Sequence, residues 1–285
     1  MDSRSPARQE RSAAPGADEV ERVRKLYLDT IKRALLHTLY QPLDIRFDEG
    51  GYVPDEELRA AVITEMSRED FDWADVRAEG RDWPQYAQTM VGSRRLDNVE
   101  HCVTRAITEG VPGDLIETGV WRGGVAILMR AILEAYGDRD RVVFAADSFR
   151  GLPPPDESAF PADAGNRLHT ADALAVSRHE VATNFKLYGL LGKQVRFLEG
   201  WFRDTLPTVR DRTWAVVRLD GDMYESTIEA LTNLYPGLSV GGFLIVDDYT
   251  YAPCQQAVED YRRANGIDDV IEPIDWLGAY WRRTR

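Results

Sequence analysis

A chain of 285 residues is long enough for one large α/β domain with a sizeable buried core, with residues to spare for a cap or extension. Hydrophobic residues make up 44% and charged residues 29%, ordinary for a globular protein, but the formal net charge is −13. A surface so acidic repels phosphate backbones and anionic lipids, which argues against nucleic acid and membrane partners.

The first residues, MDSRSPARQERSAAPGAD, mix Arg, Ser, Pro and acids without the apolar core of a signal peptide, so 1–17 is expected to be a disordered tail. No apolar run approaches the roughly 18 residues that span a bilayer. Cys102 and Cys254 have no ligand-like spacing. They read as free thiols of a cytoplasmic protein, a disulfide between them being the alternative.

Asp18 and Glu21 have capping-box spacing, and Val20, Val23, Tyr27, Ile31 and Leu35 recur at helical intervals. An amphipathic helix is expected to about Tyr40, where Gln41-Pro42 stops it. Its stripe needs a partner, either its own domain or a second subunit, and a homo-oligomer is expected. Turn signals at 48–51, an acidic helix near 55–66, and Trp73 and Trp83 complete an N-terminal helical cap over 18–92. Another helix over 93–111, ending at Gly110, opens the main domain, 93–285.

From residue 113 short apolar runs alternate with helical segments. The runs are GDLIETGV, RVVFAADS, QVRFLEGWF, TWAVVRLDGD and GGFLIVDDY; the helices are expected at 124–136, 173–190, 226–235 and 253–265. This alternation predicts βαβ units and a parallel sheet. The ending, VIEPIDWLGAYWRRT, suits two strands joined at Leu277-Gly278.

Open α/β sheets bind ligands beyond the carboxyl ends of their strands. Here those ends read Glu117-Thr-Gly119, Asp147-Ser148, Glu199-Gly200-Trp201, Asp220-Gly-Asp222 and Asp247-Asp248. Acids gathered on one rim repel, so the cluster needs a cation. Gly119, Gly123 and Gly124 suit a tight strand-to-helix turn whose backbone approaches a ligand, though a plain structural turn reads the same. Asp147 stands where an acid accepts hydrogen bonds from the ribose of a nucleoside cofactor; it also suits a cap with Ser148. Asp220, Asp247 and Asp248 end consecutive strands, and three hard oxygen donors suit Mg²⁺. The four histidines are scattered, with no Ser-His-Asp pattern. The tryptophans read as core, except Trp201 at a strand end.

The blocks TMVGSRRLDNVEHCV, GVPGDLIETGVWRGG, AADSFRGLP, EGWFRDTLP, RLDGDMYEST and GGFLIVDDY follow one another within about residues 24–283. Together they resemble the macrocin O-methyltransferase family, enzymes of antibiotic biosynthesis that methylate deoxysugar hydroxyls of natural products. The resemblance implies a class I methyltransferase, Rossmann-like α/β fold: seven strands, mostly parallel, with an antiparallel last strand. It implies S-adenosylmethionine as methyl donor, Mg²⁺, and a small glycosylated natural product as acceptor. Thr89, Met90, Glu117, Gly119, Trp121, Asp147, Ser148, Gly200 and Trp201 would bind the donor. Asp220, Asp247 and Asp248 would hold the metal, and Asp220 or Asp222 would take the proton. The nearest alternative is a metal-dependent catechol-type O-methyltransferase acting on an aromatic diol. An NAD-dependent oxidoreductase would want the GxGxxG that is missing here, and a non-catalytic interaction protein has no use for the acidic rim.

Overall fold

The computed structural model describes residues 16–39, 73–81 and 86–285. The tail at 1–15, the helix expected near 55–66, and Trp83 lie outside the described residues. Seven strands form one sheet: β1 Asp114–Thr118, β2 Val143–Asp147, β3 Val195–Glu199, β4 Trp214–Leu219, β5 Leu238–Val246, β6 Glu272–Pro273 and β7 Ala279–Arg282. Their order is β3-β2-β1-β4-β5-β7-β6, with β1 to β5 parallel and β7 antiparallel to both neighbours. This is the fold class expected from sequence.

The central strands are continuous apolar runs because both sheet faces are covered. Leu115, Val143, Phe243 and Ile245 enter one core, under α1 (Ala17–Leu35), α3 (Ser93–Thr108), α4 (Gly124–Tyr136) and α5 (Arg178–Leu187). A short helix, α2 (Trp73–Glu79), packs on α3. Ile116, Phe144, Leu244 and Val246 enter the other core, under α6 (Phe202–Thr205), α7 (Tyr224–Leu234) and α8 (Ala252–Asn265). No helix among the described residues is long and apolar enough to cross a membrane. Cys102 and Cys254 are both buried and free.

Three local expectations are corrected. Helix α1 is capped at Gly16 with no side-chain cap bond, so the Asp18–Glu21 capping box does not form. Asp18 and Glu19 sit inside the first turn, where their charges favour the helix dipole. The stripe of α1 is displaced: Leu28, Ile31 and Leu35 are buried against α4, while Val20 and Val23 are 40% and 53% exposed. The helix expected from 173 starts only at Arg178, where the Ser177 hydroxyl accepts from Glu180 N at 3.2 Å. The chain before it is taken up by three single 3-10 turns.

One of those turns pins the 150–172 insertion to the sheet rim. The N-cap of α7, Met223, offers no side-chain acceptor. Buried Asp163 takes over, accepting from Tyr224 N at 2.7 Å and Glu225 N at 3.0 Å. Asp163→Ala should therefore cost about 1–2 kcal/mol, as loss of an N-cap does. Denaturant unfolding measures the loss, and hydrogen exchange should rise in 150–172 before it rises in the sheet. Unchanged stability would contradict this role.

Candidate active site

The strand order reverses between β1 and β4, so the crevice lies where these two strands end. Glu117, Arg218 and Ile245 are register partners on β1, β4 and β5. Ile245 faces the α3/α4 core, so Glu117 and Arg218 point the same way. Asp220 and Asp247 lie two residues further along β4 and β5 and project on that face too. Four charged side chains thus converge by strand periodicity alone.

Arg218 is 1% exposed and organises them. Its Nη1 donates to Glu117 Oε1 at 2.6 Å and to Asp220 Oδ2 at 2.7 Å, and its Nη2 donates to Asp247 Oδ1. A second buried guanidinium arrives from α3. Arg95 donates from Nη1 to Asp247 Oδ2 at 2.5 Å, from Nε to Asp275 Oδ2 at 2.8 Å, and from Nη2 to the Glu79 carbonyl at 3.1 Å. Neither arginine was picked out from sequence. Arg218 carried a signal, a charge inside an apolar run; Arg95, in an ordinary amphipathic helix, carried none.

The acids respond unequally. Burial raises Asp247, but Arg218 and Arg95 outweigh it and hold this carboxyl below its ordinary range. Burial, with Asp247 nearby, lifts Asp220 to about 6 against the pull of Arg218. Asp222 has burial, Asp220 and Asp247 all pushing upward, and reaches about 7. Asp248 is raised well above the ordinary carboxylate range, by burial first and then by Asp222 and Asp220. Burial lifts Glu117 to about 8, opposed by Arg218.

Carboxylate oxygens of Asp220, Asp247 and Asp248 lie within 4.8 Å of one another, close enough to share a metal ion. An oxygen already bonded to a guanidinium keeps a lone pair for a cation. The acids around Arg95 and Arg218 outnumber these two positive charges, so the hard oxygen set fits a divalent cation such as Mg²⁺.

The turn after β1 is built by close approach. Gly119 has φ 81°, and a Cβ there would lie 1.7 Å from the Asp220 carbonyl oxygen. Gly124 opens α4 beneath the 86–91 segment and donates its N–H to the Gln88 carbonyl at 2.9 Å. Asp147 braces this turn, its Oδ2 accepting from Val120 N at 2.8 Å and its Oδ1 from Phe149 N at 2.7 Å. The capping role and the ligand role read from sequence therefore fall on the same carboxylate. Trp121, Phe149 and Asp222 hold left-handed φ of 46°, 56° and 56° just past β1, β2 and β4. Such strain in non-glycine residues gathers at functional sites.

Two adjoining cavities share Met90, Trp121, Leu174, Asp220 and Asp222 among their lining. The first is lined by Gly119, Asp147, Ser148, Gly200 and Trp201. The second is lined by Thr89, Glu117, Asp247, Asp248 and Trp276. Every site residue expected from sequence thus lines one cavity or both. Trp276, which was read as core, is 48% exposed. His101 packs between Phe243 and Tyr280, away from this shared lining.

Comparison with known proteins agrees with this arrangement. The family model for macrocin-O-methyltransferase matches residues 24–283. An 8-demethyl-8-(2,3-dimethoxy-alpha-L-rhamnosyl)-tetracenomycin-C 4'-O-methyltransferase from Streptomyces olivaceus is 48% identical over 265 residues, covering 93% of this chain and 95% of that protein. Demethyldecarbamoylnovobiocin O-methyltransferase from Streptomyces niveus is 48% identical over 271 residues, covering 94% and 97%. The solved structure of the O-methyltransferase NovP superposes with a TM-score of 0.79 at 47% identity, covering 92% of this chain and 100% of that one.

Removing Arg218 would strand buried carboxylates. Arg218→Leu should destabilise the fold by about 3–5 kcal/mol, the cost of breaking a buried ion pair from one side. The surface pair Arg263–Asp260, with Arg263 74% exposed, serves as control and should contribute less than about 1 kcal/mol. Equal losses in denaturant unfolding would refute the central role of Arg218.

Proposed function

We infer the function from one premise: the chain belongs to the macrocin-O-methyltransferase family and is an S-adenosylmethionine-dependent O-methyltransferase. We propose that it methylates a deoxysugar hydroxyl on a glycosylated natural product, in antibiotic biosynthesis. The observation that carries this reading is the lining shared by the two cavities. It sets Asp220 and Asp222 between a side suited to a nucleoside and a side lined by buried acids.

On this reading S-adenosylmethionine lies along the crevice from Gly200 and Trp201 to Glu117. Asp147, which lines the first cavity, would meet the ribose. Ser148 lies beside it, and Trp201 offers an aromatic face to the base. Glu117 Oε2 is buried without a hydrogen-bond partner and belongs to a residue lining the second cavity, an acceptor that fits the methionyl ammonium. Thr89 and Met90, in the segment over α4, close the site from above. We assign residues 18–92 to a cap and 93–285 to the methyltransferase domain.

Asp220, Asp247 and Asp248 would hold Mg²⁺, which when bound supplies positive charge that stabilises an alkoxide on the acceptor. Asp222 is the better base of the two candidates. Asp220 already accepts from Arg218, whereas Asp222 is raised by burial and then by Asp220 and Asp247, with no arginine among the causes of its shift. As the acceptor oxygen bonds to the methyl carbon, the sulfur–methyl bond breaks and its electron pair stays on sulfur. The hydroxyl proton passes to Asp222, and the sulfonium charge is lost. Positioning and electrostatics supply most of the acceleration.

The test pairs two acceptors, a rhamnosyl glycoside and catechol, with S-adenosylmethionine and Mg²⁺. The glycoside should be methylated preferentially; preference for catechol would replace the sugar reading with the aromatic one. Asp222→Asn should lower kcat by about 10²–10⁴ while sparing affinity for S-adenosylhomocysteine. A base must be ionised to act, so the wild-type rate should rise with pH as Asp222 loses its proton; burial and like charges raise this carboxyl to about 7, and Mg²⁺ bound beside it would lower it again. Full activity in Asp222→Asn would remove Asp222 from this role.

A further inference from the structure

The second cavity is lined by two unlike kinds of group. Its lining holds the acids Asp222, Asp247 and Asp248 and also Trp276, with Leu277 beside it. Trp276 is 48% exposed, so part of its ring is open to the cavity it lines. It is also held firmly. Its Nε1 donates to the Glu79 carbonyl at 3.0 Å, and its own carbonyl accepts from the Thr250 hydroxyl at 3.1 Å. On the preceding residue, Asp275 Oδ1 accepts from Leu277 N at 3.0 Å and Gly278 N at 2.8 Å, closing the turn around it.

The same turn is tied to the acids. Arg95 reaches Asp275 with Nε, Asp247 with Nη1 and the Glu79 carbonyl with Nη2. The Glu79 carbonyl therefore receives both Arg95 and Trp276. One buried guanidinium thus holds both the turn carrying the indole and a carboxylate that lines the same cavity.

We propose that Trp276 is the acceptor platform, its indole stacking on the C–H face of the sugar while hydroxyls on the ring edge meet the acids of the same cavity. A pyranose ring is amphipathic: its faces present polarised C–H bonds and its rim presents hydroxyls. An aromatic face carries negative charge density and attracts the positive ends of those C–H bonds. The polar handle of the indole is already satisfied within the protein, so only the apolar face is offered. Because the ring is fixed before a ligand arrives, stacking costs little ordering entropy. Arg95 acts as a positioning residue for both kinds of group.

This inference rests on the sugar-acceptor reading above, and its test separates the two. The probe is methyl α-L-rhamnopyranoside, added to protein saturated with S-adenosylhomocysteine and Mg²⁺ and followed by saturation-transfer NMR and titration. In the wild type, ring protons on one sugar face should receive more saturation than those on the other. Trp276→Ala should weaken binding about tenfold or more and erase the face preference, while Trp276→Phe should stay within about threefold. Trp276→Gln, which keeps a donor toward Glu79 but no ring, should behave as Trp276→Ala. Affinity for S-adenosylhomocysteine should be unchanged in all three, which certifies the fold. Wild-type affinity and an intact face preference in the Ala and Gln variants would overturn the proposal while leaving the sugar reading in place. If the wild type takes up catechol but no rhamnoside, the sugar reading itself falls.

Discussion

A guanidinium taken out of water at the centre of a parallel sheet costs several kcal/mol unless carboxylates surround it. Arg218 is such a group, and it is surrounded by acids from three strands: Glu117 on β1, Asp220 just past β4 and Asp247 just past β5. The bonds work only if those strand ends stay level, so the network fixes the crevice where the strand order reverses. Arg95 extends it outward to α2 and to the turn before β7. The N-terminal helices and the terminal hairpin thus share one electrostatic anchor with the sheet.

That anchor also divides the acids by chemistry. Asp247, held between two guanidiniums, stays ionised and serves as a fixed charge. Asp222 and Asp248 receive no guanidinium hydrogen bond among the described residues, and burial raises both. Environments that push neighbouring carboxyls apart in this way suit them to distinct roles, and on the proposed reading Asp247 would be a permanent ligand and Asp222 the proton acceptor. The positive charge of two arginines falls short of the local negative charge, and the remainder is what a divalent cation would answer.

Much of the sheet was legible because parallel strands buried on both faces are written as apolar runs, and because each run here ends in an acid. Helix α4 was read to its end residues, since Gly124 opens it and Gly137 closes it in a left-handed cap. The misreadings were local. Val20 and Val23 fit a helical stripe, yet the core begins only at Leu28, because where α1 meets α4 is set by tertiary packing. The start of α5 was placed too early because single 3-10 turns carry the same short-range pattern as a helix. Asp220, Asp247 and Asp248 could be assembled from strand order, but Arg95 could not. Its partners Asp247 and Asp275 are 152 and 180 residues away, a distance that no spacing rule reaches. Trp276 was hidden by a default: most tryptophans are core, as Trp214 and Trp281 are here, and only its position on the second cavity sets it apart.

The most direct test of this account is calorimetric titration of Mg²⁺ into the complex with S-adenosylhomocysteine, for the wild type and for Asp248→Asn. Asp248 is the candidate ligand to which no arginine is bonded among the described residues, so its loss should spare the anchor and act on the cation alone. The wild type should bind Mg²⁺ saturably at a single site, and Asp248→Asn should bind it about tenfold or more weakly, with affinity for S-adenosylhomocysteine unchanged. Equal Mg²⁺ affinity in the two proteins, or no specific binding in either, would contradict this. The two arginines would then be the full answer to the acidic cluster, and methyl transfer would rest on Asp222 as a base without a metal.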